Sequence, residues 1–482
     1  MTDLAIVSHQ ELPRQEIIQL LITSMQKFNQ HYRPLRDCLT GICQAIAPDA
    51  SKDEVAVFLR GSIVPEVSVR QCALQAIDNE LDLEEHSFCV EIWLASYEDE
   101  EENAEIARTI WEENSLETQH DSSFEIITYL ESTDAALRRA AARALAACVG
   151  KHPDVFSAVL KRLQELYVEK AKPLTPQRDQ YGMPLKTNLT DPWPARHGIA
   201  LAIKELAPVF DVSDLVDFIR FLVEKGPVSD SDYRVRDQMV EAATQLIAQR
   251  GSAKVEDLMT IFETTLEAPS SGSKESDLVN EAVIIMYGAL ARHLEAGDAR
   301  IPKVVERLLI TLSTPSESVQ YAIAGCLPPL IQTSAGKTPD YVTHVMADLL
   351  ESKKYATRRG AAYGLAGIVR GKGISAFREF RIMASLRAAS EEKKDSNKRQ
   401  GTFLAYELFS LVLGPIFEPY VLQIVPQLIA GFGDQSADVR DACLDAAKAC
   451  FASLSSYGVH QVLPILLEGL DETQWRSKKG GL

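Results

Sequence analysis

The stretch 353–374, KKYATRRGAAYGLAGIVRGKGI, decides how this chain folds. It opens on a polar turn, passes through Arg358 and Arg359, and continues through Gly360, Ala361, Ala362, Gly364 and Gly367. Small side chains at helical spacing let neighbouring helices approach closely, because interaxial distance follows the residues at the contact. The same phrase, a polar turn followed by a small hydrophobe, an arginine or its polar stand-in and an Ala-rich helix, recurs along the chain. It reads VSVRQCALQAI around Arg70, AEIARTIWEE around Arg108, AALRRAAARAL around Arg138, WPARHGIALAI around Arg196 and YRVRDQMVEAA around Arg236. It continues through Asn280, Gln320, Arg359, Arg399, Arg440 and Arg476.

From Arg196 onward the steps are 40, 44, 40, 39, 40, 41 and 36 residues, and the earlier ones are 38, 30 and 58. The long step contains an insertion, residues 170–194, rich in Pro and polar residues, which is either disordered or a partner-binding element. Ahead of each phrase lies an amphipathic segment, such as PKVVERLLITL from Pro302 or YVLQIVPQLIAGF from Tyr420. Two helices per unit of about 40 residues is the HEAT or armadillo arrangement, in which each unit buries its apolar face only against its neighbours. The expected fold is therefore an all-α HEAT-repeat superhelical solenoid of about ten complete helix pairs starting near Asp53. Helices near 15–28 and 34–46 would precede them as a partial repeat spanning 1–52. Stacked at roughly one helix diameter per layer, ~10 Å, the array would be about 100 Å long. The segment 53–301 carries the insertion and 302–482 the last repeats. A first helix at 459–470 followed by Trp475 and Arg476 stops mid-repeat, so a truncated C-terminus and a longer parent are expected.

Composition sets further bounds. A chain of 482 residues with 46% hydrophobic and 24% charged residues buries a large core. Its longest uncharged apolar stretch, 408–417, is half a membrane span, and MTDLAIVSHQ has no leader character, so no membrane partner is expected. Eight cysteines with no C-x-x-C fit free thiols in a reducing cytoplasm. The net charge of -18 is local: residues 76–135 hold 19 acidic side chains against the single Arg108, and the remainder is neutral. Residues 351–400 carry 13 Lys plus Arg against 5 Asp plus Glu, which leaves room for a polyanionic partner.

No motif marks an enzyme. Gly336-Lys337-Thr338 lacks the first glycine of a phosphate loop, having Ile331 there, and Pro339 follows. Gly371-Lys372-Gly373-Ile374-Ser375-Ala376 fits G-x-G-x-x-A but follows a helix where a repeat must turn. Nine scattered histidines offer neither H-E-x-x-H nor a Cys/His cluster, so no metal, cofactor or catalytic residue is expected. The recurrent arginines read as a structural ladder, each pairing with an acidic residue of a neighbouring turn, as Arg440 with Asp434 or Asp438. Beyond that ladder, Lys353 and Lys354, then Lys393, Lys394 and Lys398, fall one repeat apart and should share an edge. With Arg358 they are the candidate contacts for a ribosome or other polyanion, against the alternative of solubilising charge. Glu98, Asp99, Glu100, Glu101 and Glu102 form either a solvated turn or a docking site for a basic segment.

From about residue 313 the wording becomes specific. STPSESVQYAIAGCLPPLI, the stretch from Lys353 already quoted, FEPYVLQIVPQLIAGFGD and VLPILLEGLDETQWRSKKG resemble the large general-control translational activator family, in the segment similar to the HEAT repeats of translation elongation factor three. PWPARHGIALAIKELAPVF and the repeats between 211 and 297 agree more loosely. This resemblance implies a non-enzymatic scaffold that binds ribosomes, through ribosomal RNA or protein, and helps activate the initiation factor two alpha kinase in amino-acid starvation and ribosome stalling. It further implies an ATP-binding-cassette partner protein on 302–482 and a kinase contact outside this chain. An importin-type nuclear transport receptor, also an acidic HEAT protein, is the alternative.

Overall fold

The computed structural model describes residues 13–83, 86–173, 190–268 and 273–469, and every described element is helical. The chain divides into two compact units, Met1–Arg250 and Gly251–Leu482. In the first, antiparallel pairs follow one another: α1 (Arg14–Lys27) with α2 (Tyr32–Ile46), α3 (Lys52–Gly61) with α4 (Val67–Glu80), and α5 (Val90–Ala95) with α6 (Glu101–Glu113). Next come α7 (Ser122–Tyr129) with α8 (Ala135–Lys151), α9 (Phe156–Lys170) with α10 (Trp193–Leu206), and α11 (Leu215–Glu224) with α12 (Tyr233–Arg250). The second unit holds α13 (Val255–Glu267) with α14 (Lys274–Ala291), α15 (Arg300–Thr311) with α16 (Glu317–Thr333), and α17 (Thr338–Glu351) with α18 (Tyr355–Lys372). It continues with α19 (Ser375–Glu379), α20 (Ile382–Ser390) paired with α21 (Ser396–Leu413), α22 (Glu418–Phe432) with α23 (Ala437–Ala452), and α24 (Ser456–Gly469).

These are the ten expected pairs from α3 onward, with α1 and α2 as a further pair in front. The first helix of the α20–α21 repeat differs from expectation: it breaks into α19 and α20 at Arg381, whose φ of 53 places it in the left-handed region. Residues 174–189 of the insertion and the stretch carrying Trp475 and Arg476 lie outside the described residues. The 301/302 segment boundary falls inside the second unit.

Local chemistry explains the elements. Ser51 caps α3 reciprocally with Glu54, and Asp134 and Asp395 accept backbone N–H groups at the starts of α8 and α21. Second helices pack side by side in series, α8 on α10 on α12 and α16 on α18 on α21 on α23. Glycine makes the closest of these approaches. A Cβ on Gly360 would stand 1.8 Å from the Leu312 carbonyl oxygen, one on Gly198 2.1 Å from that of Leu130, and one on Gly401 2.4 Å from that of Leu349. Each is the sixth residue of its second helix, so the small side chain seen in sequence marks where the helix crosses the end of the preceding repeat's first helix. The core is built from Leu, Ile, Val and Ala, with Phe58, Phe218, Phe262 and Phe409 fully enclosed. All eight cysteines are free, and burial pushes the Cys43 and Cys326 thiols up to about 12, which keeps them protonated.

Ser396–Phe432 is long and apolar enough to cross a membrane by composition alone. It is two helices, broken by a turn at Gly414 with φ 61, and its Tyr406, Phe409 and Phe417 fill the interior of the second unit. Its apolarity has a packing reason.

Candidate interaction surface

The ladder is real, but its register and chemistry differ from the sequence reading. The residue that matters is the fourth of each second helix. Arg70 donates to the carbonyls of Val64 (3.0 Å) and Pro65 (2.8 Å), Arg138 to Ser132 and Thr133, Arg236 to Asp230, and Arg440 to Asp434 and Gln435. Each arginine thus reaches back five or six residues and satisfies carbonyls in the turn its own helix has just left, a complement to the orphan acceptors at a helix end. Gln320 does the same with Leu312 and Thr314 and adds the carbonyl of Ala356 in the next repeat. Arg399 combines both modes, donating to the Glu392 carbonyl and pairing with the Asp434 carboxylate at 2.7 Å.

Three assignments are corrected accordingly. Arg108 is the eighth residue of α6 and makes an exposed pair with Glu101, while the fourth position there is Ala104. Asn280 lies in the second turn of α14, whose fourth residue is Asp277. In α18 the ladder residue is Arg358, not Arg359. Arg358 is 4% exposed, donates to the Ser352 carbonyl at 2.9 Å and binds Gln400, so its guanidinium is not available to a surface partner as expected. Arg359 points the other way, to Gln320, Glu317 and the Pro315 carbonyl of the preceding repeat.

The strongest ionic lock closes the ends of the insertion. Arg196 pairs with Asp230 (2.7 Å) and Asp191 (2.6 Å) and donates to the Lys170 carbonyl, while the Tyr167 hydroxyl donates to Asp230 at 2.7 Å. Burial and the neighbouring carboxylate push the Tyr167 phenol well above its ordinary range.

The acidic run is divided by the fold. Glu98 is buried against Arg70 at 2.5 Å, both side chains 8% exposed, and burial pulls its pKa up. Asp99 bridges Arg139 (2.6 Å) and Arg143 (2.7 Å), whose hydrogen bonds overcome its partial burial and hold it low. Glu101 takes Arg108. Glu100 and Glu102 stay exposed at the start of α6, where negative charge suits the helix dipole.

The lysines behave oppositely. Lys353 and Lys354 form the turn into α18, and Lys393 and Lys394 the turn into α21, all four exposed. Because α18 and α21 pack side by side, both turns leave the same ends of adjacent helices. Lys398 follows in the first turn of α21, half-buried. Among the described residues no carboxylate forms an ion pair with any of the five. Lys354 occupies the N-cap of α18 with no side-chain cap bond. Cations at that end oppose the helix dipole at a cost of roughly 0.3 to 1 kcal/mol, so the fold gains nothing by having them there.

Two features escaped the sequence reading. An open groove across α16, α18, α21 and α23 is lined by Glu317, Tyr355, Glu407, Asp438, Asp441 and Asp445. Burial, then Asp445 and Glu317, push Glu407 up to about 7, against the opposing pull of Arg359. These carboxylates come from three separate repeats, and only alignment by register would have joined them. The second feature is a set of arginines around Trp193 in the first unit. No group of His, Cys, Asp and Glu among the described residues is arranged to hold a metal ion. Gly336 and Lys337 form a turn before α17, with Lys337 paired to Glu306 at 3.2 Å, and Gly373 turns the chain out of α18 with φ 92.

Serial helix pairs with carbonyl-binding arginines at a fixed register, and charge displayed on turns, define the class: a HEAT-repeat α-solenoid. Residues 78–292 match the family profile described as stalled ribosome sensor GCN1, HEAT repeats, and residues 358–482 match that of the EF3 N-terminal HEAT repeat. The chain is 36% identical to the eIF-2-alpha kinase activator GCN1 of Saccharomyces cerevisiae and 35% identical to the stalled ribosome sensor GCN1 of Homo sapiens, each over 98% of its length. It belongs to the GCN1 family. The chain spans 18% of the length of each of these relatives. Among solved structures, Kap121p aligns with a TM-score of 0.42 and 13% identity, covering 99% of this chain and 50% of that one, and importin beta with 0.34 and 14%, covering 93% and 64%.

Proposed function

We propose that this chain is a ribosome-binding segment of a cytoplasmic scaffold that promotes activation of the initiation factor two alpha kinase when translation stalls. It acts by binding rather than by catalysis. The relatives named for ribosome sensing and kinase activation match across nearly the whole chain, which favours this reading over nuclear transport. The observation that carries the contact is the lysine row, Lys353, Lys354, Lys393, Lys394 and Lys398, on two adjacent turns and the helix start that follows, with no ion pair among the described residues. Ribosomal RNA is the polyanion that row suits, because binding to phosphates needs only positive charge held at regular intervals. The repeats from 302 to 482, which include the stretch matched to the elongation-factor repeat, are the place for an ATP-binding-cassette partner protein. Contact with the kinase falls to parts of the parent protein beyond this chain.

Co-sedimentation with purified ribosomes over a salt series tests the reading. The parent chain is expected to pellet in a salt-sensitive way. The variant with all five lysines changed to Glu should pellet less, with the log-log salt slope reduced by about 0.7 to 0.9 for each phosphate that is no longer neutralised. Identical pelleting of both chains at every salt would return the row to plain solubilising charge.

A further inference from the structure

The arginines at the starts of α8, α10 and α12 are explained neither by the carbonyl ladder alone nor by the lysine row. Trp193 opens α10, and two guanidiniums approach its indole: Arg234 at 3.4 Å from the ring centroid and Arg138 at 5.3 Å. The same Arg234 lies 5.8 Å from the ring of Tyr233, which is 63% exposed. One turn after Trp193, His197 meets that indole edge-on at 6.0 Å. Burial, followed by Arg138 and Arg234, lowers the His197 pKa to about 4, so the ring is neutral and adds no charge of its own. The accessible guanidiniums here are Arg139, Arg143 and Arg234. Arg138 Nε, Arg143 Nε and His197 Nδ1 are withdrawn from water without a hydrogen-bond partner, and Arg138 as a whole is only 2% exposed.

Carboxylates do touch this surface. Asp99 binds Arg139 and Arg143, and Asp232 binds Arg234 at 2.7 Å. Asp99 and its two arginines are a third to a half exposed, and ion pairs between solvated groups contribute little, so phosphate oxygens can replace that carboxylate at small cost. Asp232, only 13% exposed, holds Arg234 through Nε and Nη2, which leaves Nη1 for a phosphate oxygen. Guanidinium forks match phosphate oxygens in pairs and also stack on planar rings.

We propose that this surface of the first unit binds single-stranded RNA, with Arg139, Arg143 and Arg234 on phosphates and Tyr233 and the Arg234–Trp193 stack offering planes to unpaired bases. Interleaved aromatic rings distinguish it from a site for an acidic peptide, which needs cations only, and from a duplex site, whose bases are already stacked. The inference concerns a different unit from the lysine row and stands or falls separately from it.

The test is fluorescence anisotropy of a labelled oligouridylate against the full 482-residue chain over a salt series, with Tyr233→Ala, the double variant Arg139→Gln/Arg143→Gln and the five-lysine variant alongside. Removing one base stack should weaken binding by about tenfold in Tyr233→Ala. The double arginine variant should lower the salt slope by about 0.7 for each phosphate left without its cation. The five-lysine variant should keep both the affinity and the effect of Tyr233→Ala. Circular dichroism establishes that the variants fold, and Tyr233→Ala, which alters an exposed ring, decides the matter by itself if the arginine variant does not. Absence of oligouridylate binding at low salt, or equal affinity in parent and Tyr233→Ala, overturns the proposal. So does an oligoglutamate that competes as well as the RNA.

Discussion

The turn between α5 and α6 and the turns leading into α18 and α21 occupy the same place in their repeats, yet they handle charge in opposite ways. In the first, Glu98, Asp99 and Glu101 are each tied to an arginine of the protein, and Glu98 is buried with its partner. In the others, Lys353, Lys354, Lys393 and Lys394 face solvent at helix starts that electrostatics would rather leave neutral or acidic. Three of the five carboxylates in the most acidic run are therefore already matched by arginines of the protein itself. The smaller basic excess is the charge left for a partner. Charge counted along the sequence and charge available at the surface are different quantities, and arginines paired within the fold account for much of the difference.

The largest effects should come from breaking buried locks in the first unit. Glu98→Ala leaves Arg70 buried without its carboxylate and should cost about 3 to 5 kcal/mol, and Arg196→Ala should cost as much by stranding Asp230. Glu102→Gln, four residues along the same acidic run but exposed, should stay within about 0.5 kcal/mol. Urea unfolding followed by tryptophan fluorescence reads these changes, since Trp93, Trp111 and Trp193 all lie in that unit. Equal costs at 98 and 102 would erase the distinction between internal and surface acid.

Next in size is the close approach of second helices. Gly360→Ala forces a Cβ against the Leu312 carbonyl oxygen and should destabilise by about 1 to 3 kcal/mol, while Gly325→Ala, with open space around it, should gain up to about 1 kcal/mol from helix propensity. Thermal melting of the two variants separates packing from propensity.

The smallest expected effect is a pH dependence in the groove. Glu407 holds its proton in the folded chain up to about pH 7 but gives it up at ordinary glutamate pH when unfolded. Its contribution to stability is therefore lost as pH rises through about 7. Glu407→Gln should raise the melting temperature at pH 8 and leave it nearly unchanged at pH 5. A stabilisation of the same size at both values would mean that Glu407 is already ionised at pH 5.

The fold was legible because a HEAT layer repeats its requirements locally. Arginine or a polar stand-in and small residues come back at most second helices, and Gly360 and Gly401 sit where backbones must touch. Register was harder. Arg358 and Arg359 are adjacent and chemically identical, and only the turn geometry shows which one reaches the Ser352 carbonyl and which reaches back to Glu317. Arg108 fitted the pattern by spacing although Ala104 holds the equivalent place. The candidate lysines kept their expected edge because turns inherit position directly from the repeat. Arg358 went to the interior because burial depends on the neighbouring layer, here Gln400 on α21. The Glu407 groove and the Trp193 surface each draw on helices far apart in sequence, and no single phrase announces either.

The central claim is that a ribosome covers the lysine turns of the second unit. Acetylation footprinting of the chain with and without ribosomes, read residue by residue by mass spectrometry, tests it most directly. Lys353, Lys354, Lys393 and Lys394 should be protected in the complex, while Lys161 on α9 and Lys303 on α15, also exposed in the free chain, should react as before. Ribosome-bound chain whose four turn lysines acetylate as fast as Lys161 and Lys303 would contradict the account.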